Sequence, residues 1–213
     1  MRCLLWPGLL LGLSACSQQS NLYIDSLREA TLGAPDVVKT PAEIAQNPYA
    51  SAYLKVGDLP RAFVLLAFAE QGQMKWISAD NNLFVMQQGR LVKTVGQDED
   101  LLALDNLAQD PLQTPLAIPA AGVRWQTRAY YSGAMHSGRT LVATLYRRGN
   151  ETLSILDKPV NCVRIDEQVE DLQSGTSWRN QYWVDPNTSL VMFSHQQSGS
   201  QLPSVEFTLL KPL

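Results

Sequence analysis

The sequence predicts a mainly β protein, with an antiparallel barrel-like or two-layer curled sheet and short helices near its N-terminus. From residue 49 onward the chain consists of short runs rich in β-branched and aromatic residues, separated by Gly, Asn or Pro. Short apolar runs separated by turn residues are typical of antiparallel hairpins. About eleven or twelve such runs are present, and open twisted sheets rarely exceed about ten strands without curling or closing.

The first residues predict export and a lipid anchor. Residues 3–13 are an apolar run after a single charge at Arg2. As a helix this run would be only about 16 Å long, too short for a hydrocarbon core of about 30 Å. We therefore expect a signal peptide at residues 1–15. Leu13-Ser14-Ala15-Cys16 resembles a bacterial lipobox, and the resemblance implies that Cys16 is lipidated. By analogy with enteric bacteria, Ser17 favours the outer membrane over the inner one.

The remaining chain predicts a polar tether at residues 16–21 and a single β-rich domain at residues 22–213. The formal net charge of −3 gives no basic footprint for nucleic acid. Three cysteines are present, at positions 3, 16 and 162. Since the first two belong to the signal peptide and the lipidation site, no disulfide framework or cysteine metal site is expected. Cys162 should be buried.

Two helices are predicted before the strands. In residues 20–32 the apolar side chains have helical spacing, Ser20 is a suitable N-cap, and Gly33-Ala34-Pro35 follows as a stop. A second helical turn is expected at residues 40–44, with Thr40 as its cap and Pro41 at the first helical position.

The strands are predicted from their apolar runs. In FVLLAFA the side chains on both faces of the strand are apolar, so both faces should be covered. Residues 97–122 interrupt the pattern, with a helical turn expected at Leu101-Leu102 and several prolines after it. Strands are predicted at SAYLKVG, RAFVLLAFAE, QMKWISA, LFVMQ, RLVKTV, VRWQTRAYY, RTLVATLYRR, ETLSILD, NCVRIDEQVE, SWRNQYWV, SLVMFSHQ and SVEFTLLK.

Several of these motifs, taken in order, resemble a known family. TPAEIAQNPYASAYLKVGD, QMKWISADNNLFVMQQGRLVKTVG, WRNQYWVDPNTSLVMFSHQ and EFTLLKP are similar to the YjbF/GfcB lipoproteins of exopolysaccharide and group 4 capsule operons. The resemblance implies an all-β, barrel-like fold and a role in secreting or assembling surface polysaccharide. It supplies no catalytic residues. The chain departs from the pattern at Ser189-Leu190, where such hairpins more often carry glycine, and residues 120–175 match less clearly.

The residues themselves favour a protein that is not an enzyme and that needs no cofactor or metal. In the segment from Gly89 to Gly96 the lysine and threonine precede the second glycine, which is the wrong order for a phosphate-binding loop. The histidines, His136 and His195, show no metal-ligand spacing. Asp166 and Glu170 would lie about 13 Å apart along a strand, and Asp98 and Asp100 are typical of a solvated loop, so neither pair predicts acid–base catalysis.

The aromatic strand at residues 177–184 is the candidate ligand-binding region. Trp178, Asn180 and Tyr182 share one face of this strand, and Arg179, Gln181 and Trp183 share the other. Aromatic faces beside amides and a guanidinium suit sugar rings, although the same aromatics also suit a core. Arg179, Asn180 and Gln181 are the residues expected to make polar contacts.

These observations together predict an outer-membrane-anchored periplasmic lipoprotein that is a non-enzymatic accessory factor in exopolysaccharide or capsule secretion. Its expected partners are the membrane, through the lipid, and polysaccharide or other secretion components. The first alternative is a carrier or acceptor of lipid or lipoprotein, which an apolar, hollow half-barrel would favour. The second is a polysaccharide-modifying enzyme, which two carboxylates converging in a cleft would favour.

Overall fold

The computed structural model describes residues 35–133 and 138–213. Cys16, the predicted tether, the predicted helix at residues 20–32 and His136 lie outside the described residues. The elements are α1 (Pro41–Gln46), β1 (Ser51–Val56), β2 (Ala62–Glu70), β3 (Gln73–Ile77), β4 (Leu83–Gln87), β5 (Arg90–Val95), β6 (Leu101–Leu104), β7 (Val123–Tyr131), β8 (Arg139–Ile155), β9 (Lys158–Asp171), β10 (Ser177–Val184), β11 (Val191–Gln196) and β12 (Val205–Lys211).

The twelve strands form one antiparallel sheet in which consecutive strands pair from β1 to β5 and from β6 to β12, and β1 also pairs with β12. The two ends of this order are β5 and β6. Side-chain bonds join them: the Thr94 hydroxyl donates to Asp100 Oδ1 over 2.8 Å and accepts from the Leu101 amide over 3.0 Å. The sheet is therefore a nearly closed barrel, and the predicted fold class is confirmed.

The short helix α1 forms where the sequence predicts it. The Thr40 hydroxyl accepts from the Glu43 amide, and the Glu43 carboxylate accepts from the Thr40 amide over 2.8 Å, so both halves of a capping box are present. Pro41 occupies the first helical turn, where its missing N–H costs nothing. None of the helices among the described residues is long and apolar enough to span a bilayer.

Three local predictions are wrong. Residues 101–104 are strand β6 rather than a helical turn, because Leu101 pairs with Tyr131 and its side chain is fully buried. The two runs on either side of residue 149 are one strand, β8, in which a bulge between Arg147 and Asn150 absorbs the break in pattern. Strand β2 is not covered on both faces.

The second half of β2 is exposed because the strand runs past the start of β1. Ser51, the first residue of β1, already pairs with Leu65. Val64 and Leu66 are buried in the interior, whereas Phe68, farther along, is 66% exposed. On the outer face, residues 36–40 cover only the first half of the strand: the Arg61 amide donates to Asp36, and the Lys39 amide donates to the Tyr53 hydroxyl.

The strand register places the connections alternately at two rims. The upper rim carries the turns at residues 71–72, 88–89, 156–157 and 185–190, the connection at 105–122, and the C-terminus. The segment that leads from α1 into β1 also lies at the upper rim, since Lys211 donates to the Asn47 carbonyl. The lower rim carries the remaining connections between strands, among them residues 57–61. The Asp185-Pro186-Asn187-Thr188 turn is the one predicted, with Asp185 accepting from the Asn187 amide over 2.8 Å. Ser189, where the family pattern favours glycine, has a positive φ of 61°.

The core has two parts, which we call the plugged half and the open half. In the plugged half, side chains of β6–β10 pack against Leu112 and Ile118 from the upper-rim connection. That connection consists of three short 3₁₀ turns, two of them beginning with a proline. In the open half, side chains of β1–β5 and β12 form a separate cluster around Trp76, Phe84 and Phe207.

Candidate functional site: the barrel interior

A buried ion cluster marks the plugged half. Arg90, the first residue of β5, donates to Asp110 of the upper-rim connection and to both oxygens of Glu167 on β9, over 2.8 and 3.1 Å. All three side chains are nearly inaccessible to solvent. The guanidinium also stacks over the Trp125 ring, 4.5 Å from its centroid. Arg90 therefore ties together three parts of the chain that are distant in sequence.

Neutral donors complete this cluster. The Tyr182 hydroxyl and the Asn180 amide each donate to Glu167 Oε2 over 2.9 Å. Burial raises the pKa of Tyr182 well above its usual value, although the nearby Arg90 charge opposes the shift. Burial alone would lower the pKa of Arg90, but Asp110 and Glu167 raise it well above the usual value. Tyr182 is a donor and Arg90 is a cation throughout the physiological range.

The two carboxylates of the cluster share one cation. Asp110 and Glu167 lie on either side of one guanidinium, and Asp110 Oδ1 also accepts from the Leu112 amide over 3.0 Å. An acid–base pair for glycoside cleavage needs carboxyl groups that can reach a substrate and exchange protons with it. The cavity beside the cluster has a volume of only about 30 Å³, enough for about one water molecule. No sugar ring can enter it.

Gln196 of β11 joins the ion cluster to the edge of β5. Its side-chain amide donates to the Gly89 carbonyl over 2.8 Å and accepts from the Leu91 amide over 2.9 Å. Its oxygen also lies 3.3 Å from the Tyr182 hydroxyl. Gly89 has a positive φ of 81°, and an added Cβ would lie 2.3 Å from Val191. The amide of one interior side chain thus satisfies backbone groups that β5, at the end of the sheet order, leaves without a partner strand.

The six candidate residues of β10 point alternately to the interior and the exterior of the barrel, as the alternation of side chains along a strand predicts. Inside, Trp178 donates its indole N–H to the Gln197 carbonyl over 2.7 Å, and Asn180 and Tyr182 belong to the ion cluster. Outside, Arg179 is exposed and Gln181 donates to Asp166 over 3.2 Å. They do not form one continuous surface. Sugar binding by any of them stays a prediction.

Trp183 belongs to an ion cluster on the outer face. Its indole N–H donates to Glu151 over 2.7 Å, and its ring packs against Phe193 with centroids 5.0 Å apart. Asp166 accepts from Arg148 and Arg164 in the same cluster. Burial would raise the pKa of Asp166, but the hydrogen bonds from Arg164, Gln181 and Arg148 outweigh it and lower the pKa. Asp166 is therefore an ion-pair partner rather than a general acid.

Asp100 and Cys162 also have defined environments in the fold. Asp100 accepts from the amides of Gly96 and Gln97, both over 3.2 Å, and so orders the turn between β5 and β6. Cys162 is buried, as predicted, and burial raises its pKa to about 11, so the thiol stays protonated. No group of three metal-ligating side chains occurs within residues 35–133 and 138–213.

The open half contains the larger cavity, of about 400 Å³, which opens at the upper rim. Its walls are apolar: Met74, Trp76, Met86, Leu190, Val191, Phe207 and Leu209. The Trp76 ring is held edge-on against Phe207, with centroids 5.1 Å apart. Around the mouth lie uncharged polar side chains and one charged residue, Glu70, which is ion-paired with Lys75. No sequence pattern pointed to this cavity.

These features define a class of protein: a nearly closed twelve-stranded barrel whose interior is half plugged by its own connection and half hollow. Residues 24–210 match the model of the family described as "Group 4 capsule polysaccharide lipoprotein gfcB, YjbF". The chain belongs to this family, as its motifs predicted.

Relatives and a solved structure agree with this assignment. The chain is 36% identical to "Uncharacterized lipoprotein GfcB" of Escherichia coli (strain K12), over 100% of this chain and 99% of that protein. It is 33% identical to "Uncharacterized lipoprotein YjbF" of the same organism, over 93% and 92% of the two chains. The crystal structure of the hypothetical lipoprotein YmcC from Escherichia coli (K12) superimposes with a TM-score of 0.76 at 34% identity, covering 93% of this chain and 98% of that one.

Proposed function

We propose that this protein is a lipid-anchored accessory factor in the secretion or assembly of exopolysaccharide or capsule, and that it acts by binding rather than by catalysis. The observation that carries the proposal is the family match over residues 24–210, since the description of that family names group 4 capsule polysaccharide. Membership extends over nearly the whole chain rather than one motif.

The chemistry of the described residues supports a binding role. Two of the acidic side chains that the sequence offered for catalysis have other partners: Asp166 is held by arginines and Asp100 by turn amides. The most deeply buried carboxylates, Asp110 and Glu167, share Arg90 beside a cavity of about 30 Å³. None of these groups faces a cleft in which a glycosidic bond could lie between two carboxyls.

The anchor is proposed to be lipid on Cys16 after removal of residues 1–15. Its expected location is the periplasmic face of the outer membrane, by the Ser17 analogy. Two or more acyl chains give stable anchoring, since each buried methylene contributes about 0.8 kcal/mol. The membrane is then the first partner, and polysaccharide or other proteins of the secretion system are the second.

A deletion strain complemented with three alleles tests the role and the anchor together. We expect the deletion to reduce secreted and cell-bound polysaccharide. Wild type and Cys162→Ala should restore it, whereas Cys16→Ala should not. Cys162→Ala is the matched control because it removes a buried thiol and leaves the lipobox intact. Immunoblots should establish equal protein levels, and density-gradient fractions should place the wild type with the outer membrane.

Two outcomes would contradict the proposal. Polysaccharide that is unchanged in the deletion strain would remove the secretion role. Full restoration by Cys16→Ala would remove the need for the anchor. The lipid-carrier alternative has its own structural support in the 400 Å³ cavity.

A further inference from the structure

The cavity of the open half has the composition of a site for hydrocarbon. Two methionines, two aromatic rings and several aliphatic side chains form its walls. Methionine side chains adapt to flexible apolar ligands, because they are unbranched and polarizable. An apolar cavity of this kind is poorly hydrated, so transferring a hydrocarbon chain into it removes apolar surface from water at little cost in lost water contacts.

The volume also fits a ligand larger than a single ring. An apolar cavity of about 150 Å³ holds one benzene molecule, and small-molecule sites are commonly about 300–1,000 Å³. The cavity here is about 400 Å³ and opens at the upper rim between the turns at residues 71–72, 88–89 and 185–190. A flexible chain can enter at one end, while a polar head group remains at the mouth.

The mouth favours an uncharged head group. Gln71, Gln73, Gln88 and Ser189 offer amide and hydroxyl groups, and no arginine or lysine lines the cavity among the described residues. A phosphate or free carboxylate would find no cation there, whereas glycerol hydroxyls or sugar hydroxyls would find hydrogen-bond partners. Glu70 places a carboxylate at this rim, although Lys75 pairs with it.

The path of the chain favours an occupant from outside the protein. The first described residues lie at the lower rim, where the Val37 amide donates to the Arg61 carbonyl over 2.9 Å and the Arg61 amide donates to Asp36 over 2.7 Å. The cavity opens at the opposite rim. For a lipid on Cys16 to reach the mouth, the chain before residue 35 would have to run the height of the barrel.

We propose that the open half of the barrel binds one acyl chain of a separate lipid with an uncharged, hydroxyl-bearing head group. The chain lies between Met74, Trp76, Met86 and Phe207, and the head group contacts the amides of the upper rim. The inference is independent of the secretion role, since a polysaccharide assay and a lipid-binding assay can each fail alone.

Trp76 supplies a direct readout, because it lines the cavity and is only 1% exposed. The probe is a dibrominated stearoyl monoglyceride, whose bromine atoms quench tryptophan only on contact. The protein is the full mature chain, residues 16–213, with Cys16→Ser so that it carries no lipid of its own. We expect saturable quenching at one probe per protein, and its loss in Trp76→Phe. Dibrominated stearate, which carries a charged carboxylate, should bind at least about tenfold more weakly, because that charge has no partner.

A pair of glutamate variants tests whether the cavity itself is the site. Leu190→Glu places a charge among the lining residues at a half-buried position, so it should weaken probe binding by about tenfold or more. Val95→Glu makes the same type of change at an exposed strand position away from the cavity, and it should bind the probe like the parent protein. Thermal unfolding of both variants establishes that each is folded.

Lipidated wild type in nanodiscs containing the brominated monoglyceride distinguishes an external lipid from the protein's own anchor. Trp76 quenching equal to that of the Cys16→Ser protein supports the external occupant. If Cys16→Ser is quenched and lipidated wild type is not, the protein's own acyl chain fills the cavity and the proposal is overturned. It is also overturned if folded Cys16→Ser protein shows no saturable quenching, or if Leu190→Glu binds the probe as well as Val95→Glu.

Discussion

The two halves of the barrel interior are built from the same kind of strand but are filled in different ways. In the plugged half, Leu112 and Ile118 from the upper-rim connection pack onto the sheet, and Arg90 holds that connection through Asp110. In the open half the upper-rim connections are short turns that contribute a single half-buried apolar side chain, Leu190, and a cavity of about 400 Å³ remains. The length of a connection thus decides whether the barrel is filled or hollow.

This difference assigns different roles to the two halves. A close-packed interior resists deformation, because every side chain is held by its neighbours. The plugged half, with its satisfied ion cluster, is therefore the rigid frame. The open half has apolar walls without an internal partner, which is the usual property of a ligand site. Two sets of variants test this division and a third tests the outer face, in order of decreasing expected effect.

Arg90→Met should destabilise the protein by about 3–5 kcal/mol, because it leaves Asp110 and Glu167 buried without a cation. Urea unfolding followed by tryptophan fluorescence measures the change. Arg164→Met is the matched control, since Arg164 pairs with Glu151 and Asp166 on the partly exposed outer face. It should cost no more than about 1 kcal/mol. Equal losses for the two variants would contradict the view that the interior cluster holds the plug.

Larger side chains should lower the stability of the plugged half more than that of the open half. Ala129→Leu inserts a larger side chain at a fully buried position of the plugged half, and it should cost about 1–3 kcal/mol through overpacking. Met74→Phe adds an aromatic ring at the wall of the 400 Å³ cavity, where space is present, and should leave stability nearly unchanged. Melting temperatures measure both variants. A similar loss in both would show that the open half is as tightly packed as the plugged half.

The smallest expected effect is a pH dependence on the outer face. Hydrogen bonds from Arg164, Gln181 and Arg148 outweigh burial and lower the pKa of Asp166 in the folded protein, so the unfolded chain binds this proton more readily. The contribution to stability is therefore present above the ordinary aspartate range, near pH 4, and is lost as the pH falls through the folded-state pKa.

Asp166→Asn should remove this contribution, which we expect to be about 1 kcal/mol or less. Urea midpoints at neutral pH and at about pH 3 measure it: the variant should lose less stability on acidification than wild type. Glu170→Gln, which neutralises an exposed carboxylate of the same strand, is the control and should behave like wild type. A variant with an unchanged acid response would show that Asp166 is not stabilised by its arginines.

Much of the local structure could be predicted from the sequence, because short-range patterns govern it. Alternation along Trp178–Trp183 correctly separated interior from exterior side chains, and Thr40 with Pro41 correctly indicated a capped helix. The errors occurred where tertiary pairing overrides local signals. Leu101-Leu102 follows three acidic residues that favour a helix start, yet Leu101 is drawn into a strand by pairing with Tyr131.

The candidate site was less predictable, and the reason is again physical. Asn180 and Tyr182 were singled out because amides and aromatics suit ligands, but their partner Glu167 was not, since nothing local distinguishes it from any other strand carboxylate. The Asp166–Glu170 spacing could at least be estimated, because distance along a strand follows directly from residue count. The distance between two residues on different strands cannot be obtained from residue count in this way.

The sequence by itself determined the β class, the hairpin order, the faces of the aromatic strand and the family, since periodicity, turn residues and ordered motifs are properties of consecutive residues. Tertiary structure alone decided that Arg90 meets Glu167, 77 residues away, and that the connection at residues 105–122 fills one half of the barrel. It also decided that the other half remains hollow. A cavity is the space left when distant segments have packed, and no local pattern encodes it.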